Sequence, residues 1–307
     1  MNKNTSNAIK GLTSIAIVLY HIKYQNLIFA SFGYLGVGIF FFMSGYNLAF
    51  CNHNKENYTK DFVFKKFFML FLPFYFWSTL YLFFLGEKFG VRYFTCAFDP
   101  TYYCHYAWYV KRLIYLYIIY YVLSIIKKNK KWKNEVVLGV LVLVISGIFY
   151  IPAEKDPNHI FPLAFLMGWI MGQLKDEERK QLGKNNLLFL GTFLGCVLTI
   201  IRVYYPNGHV TQYVVAAYFS PVLLGLLAFF VCAKVNVTGK ILLYLGSISY
   251  SIYLIHPCFL RIGDNIDNMF VYLVVVFGGT ILFSAISTYL FDKLFIIAKN
   301  RFVKKQA

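Results

Sequence analysis

Charged residues are scarce in this 307-residue chain: they make up 14% of it, and only 13 residues are Asp or Glu. A soluble globular protein has about 25% charged and about 45–50% apolar residues. Here the hydrophobic share is 59%. So few charges cannot cover a surface that faces water, which argues against a soluble enzyme, a nucleic-acid-binding protein and a disordered chain. The composition indicates a multi-spanning membrane protein.

Common metal-binding and catalytic patterns are missing as well. The six cysteines show no paired spacing of the kind that binds zinc. No glycine-rich phosphate loop and no serine-hydrolase arrangement of Ser, His and Asp stands out. We therefore expect no bound metal and no bound cofactor.

Long uncharged runs divide the chain. Most of them can hold the roughly 17–25 residues that a transmembrane helix requires. The nine runs are Tyr24–Asn54, Phe67–Gly86, Leu113–Ile126, Val136–Ala153, Pro157–Leu174, Asn185–Ile201, Val203–Ala233, Ile241–Leu260 and Asn268–Phe291. The third reaches the required length if it extends back to about Tyr106, and a tenth, weaker run is Ala8–Ile22. We predict an all-α polytopic membrane protein with about ten transmembrane helices, in a single domain over residues 1–307 with no appended soluble domain.

The basic residues predict the orientation of these helices. With the N-terminus in the cytoplasm, 22 of the 30 Lys and Arg residues fall in cytoplasmic segments and eight fall elsewhere. Basic residues are enriched in cytoplasmic loops of membrane proteins. We therefore expect both termini in the cytoplasm.

The first predicted helix carries two polar residues of interest, Lys10 and His21. They are 11 positions apart, which is three helical turns plus about 20°, so both face the same way about 16 Å apart along the axis. Charged residues inside apolar helices are costly and often functional. The alternative interpretation is that Lys10 is an anchor reaching the cytoplasmic interface and His21 an interfacial residue beside Lys23.

Five segments, in order along the chain, resemble membrane acyltransferase family 3. They are IKGLTSIAIVLYHI (residues 9–22), GYLGVGIFFFMSGYNL (Gly33–Leu48), FVFKKFFMLFLPFYF (Phe62–Phe76), WYVKRLIYLYIIYYVL (Trp108–Leu123) and LGSISYSIYLIHP (Leu245–Pro257). Members of that family are integral-membrane enzymes that move acyl groups, usually acetyl, onto sugar hydroxyls of cell-envelope glycans.

The resemblance implies roles for the first helix. His21 is then the catalytic histidine, as general base or transient acyl carrier, and Lys10 holds the phosphates or the carboxyl oxygen of the acyl donor. Acetyl-CoA is the expected co-substrate. The expected acceptor is a hydroxyl of a cell-surface polysaccharide or its lipid-linked precursor. The expected location is a bacterial plasma membrane, with the bilayer but no nucleic acid as a partner.

A second basic site is expected at Lys65 and Lys66, where the family often has an Arg-x-x-Arg pattern before a proline. This chain departs from the pattern, because Phe67 and Leu70 precede Pro73 where arginines are common. Lys65 and Lys66 are either a binding site for the CoA phosphates or two cytoplasmic anchors.

A further departure is Gly38, at a position where many family members have an aspartate. No Asp or Glu lies inside any predicted span. A carboxylate that orients His21 must therefore come from an outer loop, with Asp99, Glu154 and Asp156 as candidates, or else hydroxyls and backbone carbonyls orient the ring.

The acceptor site is expected near Trp108, Lys111, Arg112 and His256. Trp108 either stacks on a sugar ring or is an ordinary interfacial aromatic. Adjacent helix positions point about 100° apart, so Lys111 and Arg112 cannot face one cavity equally. His256 has either a substrate role or a structural role at a helix end.

Two other functions fit the same residues. One is a transporter or flippase for a lipid-linked saccharide, although the two halves of the chain show no convincing repeat. The other is a catalytically inactive family member that serves as a scaffold.

Overall fold

A computed structural model describes residues 2–23, 32–54, 58–96, 108–130, 162–204 and 210–304, together with positions 137, 139–142 and 144. Every regular element in these residues is helical, and no strand occurs among them, which confirms the all-α prediction. The α-helices are α1 (Lys3–His21), α2 (Phe32–Asn54), α3 (Tyr58–Lys66), α4 (Leu72–Phe84), α5 (Arg92–Thr95), α6 (Trp108–Lys130), α7 (Pro162–Gln173), α8 (Asp176–Lys184), α9 (Asn186–Tyr204), α10 (Val210–Lys234), α11 (Lys240–Ser247), α12 (Ser249–Gly263), α13 (Met269–Leu273) and α14 (Thr280–Lys304). Two π-helical segments, Phe67–Phe71 and Val274–Gly279, join α3 to α4 and α13 to α14.

The helices follow most of the predicted apolar runs. α6 begins at Trp108, so the short run does extend back through Lys111 and Arg112. α1 begins five residues before the predicted Ala8. The run Val136–Ala153 lies largely outside the described residues.

Fewer helices than predicted meet the requirements for spanning a membrane. Three stretches of the described chain are long and apolar enough: Phe62–Phe84, Trp108–Ile126 and Met269–Arg301. The number rises to five if each of two bent helix pairs counts as one span. Two further apolar stretches, Leu163–Gln173 and Phe219–Lys234, are shorter than the 18 residues required. The described residues therefore support a membrane protein with three to five candidate spans and do not confirm ten.

The predicted span Ile241–Leu260 is not one continuous helix, because the chain breaks at Ile248. α11 and α12 meet there at an angle of 75°. α11 packs against α1 so closely that a Cβ on Gly246 would overlap the backbone carbonyl of Asn7, and a Cβ on Gly11 would come within 2.8 Å of the Gly246 nitrogen. α12 also contacts α1. The bent pair therefore holds α1 along much of its length.

A second close crossing joins α2 to α7. A Cβ on Gly45 would overlap the carbonyl of Phe165, and a Cβ on Gly168 would overlap the carbonyl of Phe42. Small residues allow such close approach between helices in membranes. The main core lies around this crossing and includes the fully buried ring of Trp169.

Candidate active site

Lys10 and His21 lie on one unbroken helix, as the spacing predicts. α1 runs from Lys3 to His21, and its N-terminus is capped by the Asn2 side chain, which accepts a hydrogen bond of 2.9 Å from the Asn4 backbone amide. The 11 positions between Lys10 and His21 therefore correspond to about 16 Å of helix with both side chains on the same side. Both side chains are half-buried.

The structure places His21 against His256. Their ring centroids are 5.4 Å apart and the ring planes differ by 22°, which is a stacked arrangement. The Tyr20 ring lies edge-on to His21 with its centroid 4.5 Å away. α12 continues to Gly263, about two turns beyond His256. His256 is therefore not a helix-end residue.

The hydrogen bonds of His256 define its tautomer. Nδ1 lies 2.8 Å from the backbone carbonyl oxygen of Tyr253 and 3.3 Å from that of Ile252. A carbonyl oxygen only accepts hydrogen bonds, so Nδ1 carries the proton and Nε2 has the lone pair. The side chain is fully buried, with 0% exposure. The ring thus has a defined orientation and a defined basic nitrogen.

A row of rings connects this pair to α6. The ring of Tyr253 lies 5.9 Å from that of His256 and 5.4 Å from that of Tyr109, measured between centroids. The Tyr109 hydroxyl in turn lies 3.0 Å from the Ser44 hydroxyl on α2. The first turn of α6 is therefore fixed relative to the two histidines.

The same turn carries Trp108 and Arg112, two of the predicted acceptor-site residues. The guanidinium carbon of Arg112 lies 4.9 Å from the Trp108 ring centroid, within the range of a cation–π contact. Arg112 is only 6% exposed, whereas Lys111 is half-buried. Arg112 is thus the more deeply buried of the two adjacent basic residues.

At the other end of the α1 face, the structure separates Lys65 from Lys66. Lys65 is exposed and Lys66 is half-buried. The ammonium nitrogen of Lys66 lies 4.0 Å from the Tyr117 ring centroid. The Lys66 side chain also borders an apolar cavity of about 290 Å³ between α3 and α6. In the part of the chain that the structure describes, neither Lys10 nor Lys66 forms a salt bridge with a carboxylate.

The candidate carboxylates Asp99, Glu154 and Asp156 lie outside the described residues. Close packing surrounds Gly38, the position where many family members have an aspartate. A Cβ there would come within 2.7 Å of the Pro221 Cβ. An aspartate therefore does not fit at this position without a shift of α2 or α10.

Sequence analysis missed Tyr109 and Tyr253 as parts of the site. Tyr253 lies three positions before His256 inside the SYSIYLIHP segment, and Tyr109 directly follows Trp108. Their positions beside two predicted site residues were the available signal, but tyrosine is so common in this chain that neither stood out.

Comparison with protein families agrees with the resemblance. The family model described as the acyltransferase domain matches residues 4–290, a range that includes Lys10, His21, Arg112 and His256. No curated protein and no solved structure matches the chain. The match covers nearly the whole chain, and the protein therefore belongs to this family of membrane acyltransferases.

Proposed function

We propose that the protein transfers an acetyl group from acetyl-CoA to a hydroxyl of a cell-surface polysaccharide or its lipid-linked precursor, with His21 as the general base. One observation carries the proposal: Lys10 and His21 lie on the same face of an unbroken helix, and His21 is held there against His256. Histidine is suited to this task, because its ordinary pKa lies near neutrality.

The basic end of α1 supports an anionic acyl donor. Lys10 and Lys66 are both half-buried, and the ammonium group of either residue can donate charge-assisted hydrogen bonds to a phosphate. CoA carries such phosphates at one end and its thioester at the other. An extended pantetheine arm that starts near Lys10 covers the roughly 16 Å to His21. Lys65, which is exposed, adds positive charge at the approach to this site.

The chemistry balances with one base. The acceptor oxygen attacks the thioester carbonyl carbon while His21 takes the hydroxyl proton, so that a C–O bond forms and the C–S bond breaks. The CoA thiolate leaves and takes the proton back from the His21 imidazolium. The products are an O-acetyl ester and free CoA, and no metal or cofactor enters the reaction.

The acceptor is proposed to bind beside the first turn of α6. Trp108 offers a ring face for a sugar, and Arg112 offers hydrogen-bond donors for its oxygens. Lys111 completes the basic rim of this site. The contacts from Tyr109 through Tyr253 to His256 keep this turn in place relative to His21.

The test uses inside-out membrane vesicles supplied with acetyl-labelled acetyl-CoA. We expect base-labile label to enter endogenous glycan in wild-type vesicles and to be lost in His21→Ala at equal protein level. The exposed neighbour Lys23 offers a matched control, because Lys23→Ala lies two positions from His21 and should label normally.

Equal labelling in wild type and His21→Ala would contradict the proposal. The acetylation would then arise elsewhere in the membrane. In that case a flippase for a lipid-linked saccharide, or an inactive scaffold, would account for the basic residues of the site better than a transferase.

A further inference from the structure

We propose that His256 positions the His21 imidazole for proton transfer and does so through the face of its ring. This inference rests on the proposed function, in which His21 is the base. The two rings are stacked with centroids 5.4 Å apart, which is inside the range of about 4.5–7 Å for interacting aromatic pairs. In such a stack, the fully buried His256 ring restrains the plane of the half-buried His21 ring.

His256 is held firmly enough to act as a reference surface. Its Nδ1–H donates to the Tyr253 carbonyl at 2.8 Å, which fixes the rotation of the ring. The Tyr253 ring packs beside it at 5.9 Å, and no part of the side chain is exposed. α12 itself is fixed where it follows the 75° bend around α1. The face that His256 presents to His21 is therefore set by the fold.

The stack also suits the charge that develops during the reaction. When His21 takes the acceptor proton, its imidazolium lies over the face of a neutral imidazole, a contact of the cation–π type. Two imidazolium rings in this arrangement would repel each other, so the pair carries at most one extra proton, which is one positive charge. Since His256 is buried among helices and His21 is the more accessible ring, that proton belongs on His21. His256 is thus a positioning residue and does not itself exchange protons with substrate.

The sequence left open whether a carboxylate from an outer loop, a hydroxyl or a backbone carbonyl orients His21. The face of the His256 ring fixes the plane of the His21 imidazole by stacking, and this requires no buried negative charge. Tyr20, whose ring lies edge-on to His21 at 4.5 Å, confines the imidazole from its own helix. Between them, Tyr20 and His256 restrict the directions in which the basic nitrogen of His21 can point.

The test compares two substitutions of His256, one that keeps an aromatic ring face and one that removes it. His256→Phe keeps an aromatic face and removes both ring nitrogens, whereas His256→Leu fills similar space without such a face. We expect kcat of the phenylalanine variant to stay within about threefold of wild type, and kcat of the leucine variant to fall about tenfold. The KM values for acetyl-CoA and for the glycan acceptor should not change in either, because the stack restrains the base and touches no substrate.

Two results would overturn the inference while leaving the proposed function intact. One is a phenylalanine variant as slow as the leucine variant, which would mean that a ring nitrogen matters and the face does not. The other is a leucine variant with wild-type kcat. In both cases His21→Ala, measured in the same series, stays inactive. Full activity in His21→Ala would instead overturn the proposed function and this inference with it.

Folding is checked for each variant by its yield and thermal unfolding after detergent extraction. If the phenylalanine side chain is too large for folding, His256→Gln replaces it. Glutamine lacks a ring face but keeps a hydrogen-bond donor, so we expect the same loss of kcat as with leucine. Wild-type kcat in His256→Gln would contradict the proposed role of the ring face.

Discussion

The unequal placement of Lys65 and Lys66 gives a prediction with a built-in control. Lys66 is half-buried, with its ammonium nitrogen 4.0 Å from the Tyr117 ring centroid, whereas Lys65 is exposed. Replacing either lysine by methionine removes one positive charge and keeps an unbranched side chain of similar length. If Lys66 binds a CoA phosphate, Lys66→Met loses one charge-assisted hydrogen bond, worth about 1.5–3 kcal/mol. That loss corresponds to a roughly 10- to 150-fold higher KM for acetyl-CoA.

Lys65→Met is expected to change the same KM by less than about fivefold, because exposed charge interactions contribute about 0–1 kcal/mol. The assay measures initial rates of label transfer against acetyl-CoA concentration in inside-out vesicles, with both variants at equal protein level. The kcat of both should match wild type, since neither lysine contacts the reacting atoms. Equal changes of KM in the two variants, or an unchanged KM in Lys66→Met, would refute the assignment of Lys66 to the acyl-donor site.

Three other substitutions test separate parts of the site. Lys10→Met should raise the KM for acetyl-CoA about tenfold or more through loss of one charge-assisted contact, and an unchanged acetyl-CoA dependence would remove Lys10 from the donor site. Arg112→Lys should raise the KM for the glycan acceptor and leave that for acetyl-CoA unchanged, because an ammonium does not reproduce the planar guanidinium beside Trp108; a changed acetyl-CoA KM would contradict this. Gly246→Ala should lower the free energy of unfolding of the extracted protein by about 1–3 kcal/mol, and with it the unfolding temperature, since the alanine methyl group would overlap the Asn7 carbonyl. An unchanged unfolding temperature would mean that α1 and α11 separate easily.

Much of the architecture is predictable from the chain because it follows from composition and helix geometry. Apolar runs between charges predict helices, and 11 positions on one helix place Lys10 and His21 on the same face wherever α1 packs. The motifs carry the resemblance to the acyltransferase family, and the family match over residues 4–290 agrees with that resemblance. These inferences depend on local sequence and need no knowledge of tertiary contacts.

The break at Ile248 was not predicted, because the segment from Ile241 to Leu260 is uncharged throughout and contains no proline before Pro257. The bend arises from tertiary packing: α11 lies against α1 at Gly246, and α12 must then turn to stay in contact with it. The stack of His21 on His256 depends on the same packing of α12 against α1. It joins residues 235 positions apart, so the local sequence does not predict it. A hydropathy profile averages over neighbouring positions and does not report contacts between distant parts of the chain.

The difference between Lys65 and Lys66 shows the same limit on a smaller scale. Both residues read as cytoplasmic anchors or as a phosphate site when only the sequence is considered. Adjacent helix positions point about 100° apart. Which of the two lysines is half-buried therefore depends on which face of α3 packs against α6, where Lys66 contacts Tyr117.

The most direct test of the account measures both products of the proposed reaction. Purified protein in lipid nanodiscs receives acetyl-CoA and the glycan acceptor, and the release of CoA thiol is compared with the formation of base-labile acetyl ester. We predict equal amounts of the two products, dependent on added acceptor and absent in His21→Ala. CoA release or ester formation at the wild-type rate in His21→Ala would contradict the central claim that His21 is the base of an acetyl transfer.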